Sequence, residues 1–460
     1  MTADPTYRIL LLSCYELGHQ PLSLAWPLAA LEQAGFQATA VDLATGNLPA
    51  AKVENADFVG IAVPMHTALR LGVRVAAQVR ARNPSSHICF YGLYAWLNAD
   101  FLLDGIADSV IAGEYERPLI ALVNDLLAGG DGSAVLAVST PTVRKQPHLA
   151  RPYLPTPKRD HLPGLENYAR YMFNGSARLA GYVETSRGCL HTCRHCPVVP
   201  VYNGRFFIVP LETVMADIRQ QVAAGACHIT FGDPDFLNGP GHALKVARAL
   251  HAEFPDVTFD FTTKVEHILL HHDLLQELCA YGAKFVVSAF EAVDDFILQR
   301  LQKGHTLADM DAALDILHAV GLQVQPTLVA FTPWITLAGY IDLLCWIRER
   351  DLIQHIPAVQ LSVRLLVPPK SALLVEADTK NWLGSLDPAN FTYTWQHPDP
   401  RMDELQRYVA ALAEMGGDAY AVFRAIETRV YGLAERPLPD TAPPTIIHPA
   451  PPRLTEDWFC

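Results

Sequence analysis

A chain of 460 residues is too long for one ordinary core, so two or three domains are expected. Its net charge of -13, with no dense run of Lys and Arg, argues against nucleic acid as a partner, because displacing counterions from phosphates needs a basic excess. No apolar run reaches the roughly 18 residues that cross a bilayer, and residues 1–8 lack the basic-then-apolar pattern of a signal peptide. The expectation is a cytoplasmic protein with no membrane partner. Its thiols stay reduced there, and clustered cysteines serve metal binding or catalysis.

The first 130 residues alternate strand and helix patterns. Residues 7–14 (YRILLLSC) form a continuous apolar run, as a strand buried on both faces requires. A helix over 21–34 is stopped by Gly35. Strands are predicted over 37–43, 57–64, 87–91 and 109–113, with helices over 66–82 and on to Leu127. This is the alternation of an open, doubly wound (flavodoxin-like) sheet over 1–130. Residues 131–177, rich in Pro, Arg and His, read as a linker.

Periodic structure resumes over 178–370. Strands are predicted at 181–185, 228–231, 258–262, 285–289, 323–330 and 358–363, separated by helical patterns. Six such units make a partial (β/α)6 TIM barrel, with its active site at the carboxyl ends of the strands. A helical C-terminal region follows over 371–435. The tail, 436–460, is Pro-rich, extended and semi-rigid, and it ends in Cys460. Cys14, Cys89, Cys227, Cys279 and Cys345 stand apart in apolar surroundings and read as small buried hydrophobes.

The strongest chemical signal is residues 184–196, ETSRGCLHTCRHC. It places Cys189, Cys193 and Cys196 at x3 and x2 spacing just after the first barrel strand. Iron–sulfur clusters are held by Cys thiolates, normally four for [4Fe-4S], so three on one loop leave an iron open for a substrate or cofactor. The competing reading is a zinc site completed by His191 or His195, although structural zinc sites more often use two separated ligand pairs.

The CxxxCxxC loop resembles the signature of the radical S-adenosylmethionine (SAM) superfamily. The resemblance implies a [4Fe-4S] cluster on these three cysteines, SAM as second cofactor, and an electron donor such as ferredoxin or flavodoxin. His195 stands where that family often has an aromatic residue. Residues 232–235 (GDPD) look like the family's GGE-type segment, which assigns Gly232, Asp233 and Asp235 to SAM. Residues 288–291 (SAFE) and 303–306 (KGHT) follow the superfamily pattern too, and assign Glu291. Arg364, at the end of the sixth expected strand, is placed to pair with the SAM carboxylate. Lys264, Glu266 and His267 end the third strand at the same mouth, where ligand or substrate would lie.

The N-terminal region resembles the cobalamin-binding domain that precedes many radical SAM barrels, but lacks the Asp-x-His-x-x-Gly signature. His19 therefore reads as a loop histidine, and cobalamin stays open. Segments YELGHQP, GDPDFLNGP, KVEH, KGHT, FTPW and RLLVP, with LTEDWFC at the end, are similar to the CUAEP/CCAEP-tail radical SAM family. That implies a reactive Cys or Cys-selenocysteine pair, with Cys460 acting on substrate or product. The substrate, a small molecule or peptide, is not specified. Two other outcomes remain: a cobalamin-dependent methyltransferase, and a metal- or selenium-binding carrier without turnover. The tail resemblance predicts that the gene continues past the Cys460 codon through UGA into Ala-Glu-Pro. Sequencing that stretch checks it, and UAA or UAG there refutes it.

Overall fold

The computed structural model describes residues 7–376, 378–440 and 450–456. The first sheet has strands β1 (Ile9–Ser13), β2 (Ala38–Asp42), β3 (Phe58–Ala62), β4 (His87–Tyr91), β5 (Ser109–Ile111) and β6 (Val138–Ser139), in the order β2-β1-β3-β4-β5-β6. The first five run parallel, and β6 is antiparallel to β5. Alternate residues of β1 enter different cores. Leu10 and Leu12 join one face of the sheet, and Ile9 and Leu11 the other. The doubly wound expectation is met, and the chain order reverses beside β1, where such sheets bind ligands.

Helix Leu22–Gln33 is buried at every residue from Leu22 to Leu31. A helix apolar all round must have neighbours on every side. Leu24, Leu28 and Leu31 pack under the first sheet, while Leu22, Ala25 and Trp26 belong to the barrel core. Pro27 sits inside this helix and lacks the N–H that would bond the Ser23 carbonyl. The Tyr91 hydroxyl at the end of β4 donates to that carbonyl instead, at 2.9 Å.

The second sheet adds β7 (Arg170–Phe173), β8 (Ser176–Val183), β11 (His228–Phe231), β12 (Thr258–Thr263), β13 (Ala283–Glu291) and β14 (Gln323–Leu328); a small hairpin of β9 (Ser186–Gly188) and β10 (Phe206–Ile208) lies between β8 and β11 in the chain. Strands β8, β11, β12, β13 and β14 are parallel neighbours with helices between them, the partial barrel expected. The sixth strand is reduced to one parallel bridge, Phe331 with Arg364. Residues Ala358–Ser362 form a 3-10 helix instead. There the Gln360 side chain accepts from the Leu328 N–H at 2.8 Å, the bond a sixth strand's backbone would have made.

The segment expected as a linker carries structure of its own. It supplies β6 to the first sheet and β7 to the second. The region from 371 is not helical at its start: short 3-10 turns and the hairpin β15 (Leu383–Asp387) with β16 (Thr392–Trp395) precede helices Pro400–Met415 and Ala419–Leu433. Strand β17 (Arg453–Leu454) pairs antiparallel with β7. Cys14 and Cys89 are buried and Cys279 and Cys345 half-buried, but Cys227 is exposed, because it lies in the turn leading into β11 rather than within a packed element. Among the described residues no helix is long and apolar enough to cross a membrane.

Arg159 stitches these parts together. Its guanidinium forks onto Asp217 of helix Leu211–Ala223 at 2.9 and 2.8 Å, and also donates to the carbonyls of Gln20 and of Tyr182 in β8. Arg159 and Asp217 are both buried. Removing one partner leaves an unpaired buried charge, which typically costs about 3–5 kcal/mol. Arg159→Ala is expected to lower the unfolding free energy by that order, read as a fall in the urea midpoint by far-UV circular dichroism; an unchanged midpoint would refute the role.

Candidate active site

The site is built at the carboxyl ends of the barrel strands. From β8 the chain passes through Glu184 and Thr185 into β9, then turns into the cysteine loop. Gly188 makes this turn at φ +79°, and a Cβ there would lie 2.4 Å from the Arg205 carbonyl oxygen, so only glycine fits. The Cys189 N–H donates to that same carbonyl at 3.1 Å. Cys193 is buried, and Cys189 and Cys196 are half-buried. Burial raises the Cys189 thiol, and burial with neighbouring Cys193 pushes Cys196 up to about 12. Such thiols stay protonated until a metal replaces the proton. A single-ion Cys3His site needs its sulfurs drawn together, and among the described residues the three cysteines do not form so compact a group. Three thiols on one loop, largely shielded from water, suit a cluster instead.

Two histidines interleaved with the cysteines pin the loop on both flanks. His195 Nε2 lies 3.2 Å from Glu291 Oε1, and Lys303 Nζ donates to the same oxygen at 3.0 Å. Burial opposes both charges of this pair, but their mutual attraction wins. Glu291 is held below the usual carboxylate range and Lys303 above the usual amine range. Glu291 adopts φ +68° at the bulge that ends β13, a conformation costly for a non-glycine residue. Lys303 also feels Cys193 and Cys196, so a buried cation stands beside the thiols.

On the other flank His191 meets the ends of β11 and β12. Its Nδ1 is 3.1 Å from Lys264 Nζ and 3.6 Å from Glu266 Oε2; its Nε2 is 3.5 Å from Asp235 Oδ2. Asp233 faces inward. It accepts from Thr185 N–H (3.0 Å), Thr185 Oγ1 (2.8 Å) and Ser186 Oγ (2.5 Å), tying the β11 loop to the start of the cysteine loop. Burial, against these donors, pushes Asp233 up to about 7. Gly232 lies against the Tyr182 ring, 2.3 Å from where a Cβ would project.

The structure thus gathers Gly232, Asp235, Lys264, Glu266 and Glu291 around the loop, with Asp233 beneath it. Arg364 is placed elsewhere. Its Nη1 donates to Asp403 and its Nη2 to the Trp395 carbonyl, each at 2.6 Å, and the guanidinium lies 3.4 Å from the Trp395 ring centre. Both Nη groups are thereby engaged in bracing helix Pro400–Met415 against the barrel. Cys460 lies outside the described residues. Sequence reasoning passed over Lys303 as a loop partner and Arg187 altogether.

Arg187, in β9, is buried among acids of both domains. It reaches Glu114 at 2.9 Å, Glu116 at 2.7 Å and Glu184 at 3.1 Å, and lies over the rings of Trp26 and Tyr115. Nearby, at the carboxyl ends of β1 and β2, is a cavity of about 470 Å³ whose lining includes Cys14, Glu16, Thr45, Tyr168 and Glu456. His19 at its edge is stacked on Tyr182 with centroids 4.2 Å apart, and burial lowers its imidazole to about 3.

Residues 183–334 match the Radical SAM superfamily. That segment belongs to this superfamily, a class of enzymes. The chain is 25% identical over 267 residues to the hopanoid C-3 methylase of Methylococcus capsulatus, covering 57% of this chain and 50% of that one. It is 21% identical over 215 residues to a putative methylthiotransferase of Methanocaldococcus jannaschii, covering 42% and 46%. The chain therefore spans about half the length of these curated relatives. Among solved structures, the radical SAM methyltransferase TsrM from Kitasatospora setae, with cobalamin and a [4Fe-4S] cluster bound, superposes with a TM-score of 0.66 over 94% of this chain and 89% of that one, at 13% identity. The cobalamin-dependent SAM radical enzyme OxsB gives 0.72 over 93% and 72%, at 14% identity. These two share the fold across both domains.

Cys196→Ala is expected to drop iron in the anaerobically reconstituted protein from about four per chain to near zero, whereas Cys227→Ala keeps it. Iron and sulfide analysis checks this, and full iron in Cys196→Ala would refute the assignment.

Proposed function

We propose that the chain is a radical SAM enzyme whose N-terminal domain holds cobalamin, and that it transfers a methyl group to a small-molecule or peptide substrate. The carrying observation is the loop of Cys189, Cys193 and Cys196 at the mouth of a parallel barrel, docked through Arg187 onto a doubly wound domain. A [4Fe-4S] cluster on three cysteines leaves one iron open to the amino and carboxylate groups of SAM and supplies the electron that cleaves its sulfonium. The residues around the loop have separate tasks. Lys303 and Glu291 keep a compensated charge pair beside the thiols. Gly232 lets the backbone approach closely, and Lys264 and Glu266 present a cation and an anion at the mouth.

The cavity above β1 and β2 is lined in part by His19, whose ring face is stacked on Tyr182. Cys14, Glu16, Thr45 and Tyr168 are the residues that would hold a corrinoid there, which would supply the methyl-carrying chemistry. The methylase relative and the fold shared with cobalamin enzymes support this reading. The electrons come from a ferredoxin or flavodoxin, and the protein works in the cytoplasm. We assign the tail to the CUAEP/CCAEP type, with Cys460 acting on substrate or product. Its support is the motif resemblance, and the path of the tail: Arg453–Leu454 lies along β7, and Thr455 and Glu456 reach the cavity.

The test is a mass spectrum of nucleosides after anaerobic reconstitution with cobalamin, reduction and addition of SAM. S-adenosylhomocysteine together with a retained corrinoid absorbance is the expected result. 5′-Deoxyadenosine alone, without corrinoid, keeps radical cleavage but overturns methyl transfer. Methylthioadenosine means an aminocarboxypropyl radical instead. No cleavage by a cluster-loaded sample overturns the enzyme reading in favour of a carrier.

A further inference from the structure

Three donor side chains from three elements converge beside the cysteine loop. His191 lies between Cys189 and Cys193, Asp235 follows β11, and His267 is on helix Val265–Leu270 after β12. One ligand atom from each lies within 4.8 Å of the other two. Asp235 is wholly buried, His267 nearly so, and His191 is only 15% exposed at its side chain.

Their hydrogen bonding is incomplete in a particular way. Asp235 uses Oδ1 twice, accepting from the Leu237 N–H at 3.0 Å and from Thr263 Oγ1 at 2.7 Å. Its Oδ2 is left facing the two imidazoles, 2.8 Å from His267 Nδ1 and 3.5 Å from His191 Nε2. Yet Asp235 Oδ2, His267 Nδ1 and His191 Nε2 all lack a hydrogen-bond partner, although each is buried. The 2.8 Å contact is close without being aligned. Buried polar atoms are otherwise almost always satisfied, so three orphans in one place call for a common partner. A cation supplies one, because lone pairs that miss each other can all point at a third centre.

We propose that His191, Asp235 and His267 bind a divalent first-row transition ion, zinc foremost. Two imidazoles and one carboxylate are borderline-to-hard donors that suit zinc or ferrous iron rather than magnesium or calcium, which prefer all-oxygen sets. Three protein ligands leave a position open for water or a single donor from a small molecule. The surroundings complete the site. Coordination through Nε2 requires the His191 ring proton to sit on Nδ1, so the Lys264 ammonium that lies 3.1 Å from Nδ1 must turn to Glu266, also 3.1 Å from it, when the ion binds. The ion ties the cysteine loop to the ends of β11 and β12, next to Cys189 but through different ligands.

The test uses the full chain with its cluster reconstituted, so that the three thiols are occupied. The protein is equilibrated with zinc, gel-filtered, and analysed for zinc, iron and sulfide. One zinc per chain above the cluster iron is expected. Asp235→Asn and His267→Gln are each expected to weaken zinc binding about 100-fold or more, since even loss of an outer partner costs 10–100-fold. Zinc then disappears on gel filtration while iron and sulfide are kept. Should either variant fail to fold by circular dichroism, His191→Gln, on the more exposed loop, gives the same reading. Cobalt in place of zinc should give visible ligand-field bands without thiolate charge transfer. Absence of zinc from the wild type, or zinc retained by the folded variants, overturns the site.

Discussion

The buried guanidinium of Arg187 is the constraint on which the arrangement depends. It lies in the short strand that leads into the cysteine loop, yet two of its carboxylate partners, Glu114 and Glu116, come from the N-terminal domain. A third, Glu184, belongs to the turn before it. One cation shared by three acids leaves an excess of buried negative charge, and the acids respond. Burial raises Glu184 and pushes Glu116 up to about 7; Glu16 nearby is likewise held up to about 7 by burial. Arg187 is therefore locked in its charged form. The loop cannot move without carrying the edge of the first domain with it, so loop position and domain docking are one variable.

Within that frame the loop is clamped on opposite sides by residues of its own. His195 reaches the strained end of β13, and His191 reaches the ends of β11 and β12. The cysteines alternate with these anchors, so the thiols project from a ribbon held at both edges. Pre-organisation of this kind places reactive groups without each needing a dedicated support.

Much of this was legible in the chain. Parallel strands buried on both faces are unbroken apolar runs, and 87–91 and 228–231 emerge with the expected bounds, as does helix His66–Arg82. The cysteine spacing is local, so it survives without tertiary knowledge. What escaped is what depends on distant partners. Ala358–Ser362 reads as a strand by composition, and only the reach of Gln360 to Leu328 makes a strand unnecessary. Arg364 stands at the expected strand end, but Asp403 and Trp395 engage it. Strands β7 and β17 pair residues 171 and 454, a separation no local pattern announces. His191 looked like a candidate to complete a cysteine zinc site, whereas its neighbours in space are Asp235 and His267.

The helix Leu22–Gln33, shared between the two cores, also bears on how the chain is made. It leaves the ribosome among the first elements, and the first sheet can cover only the flank that carries Leu24, Leu28 and Leu31. Leu22, Ala25 and Trp26 must wait for barrel strands that are completed near residue 328. At about 5–20 residues per second, that leaves an apolar flank uncovered for on the order of fifteen to sixty seconds. A nascent chain in this state invites chaperone capture, and a truncated one would stay in it. The apolar surface of this helix is thus fully covered only by the barrel that is synthesised after it.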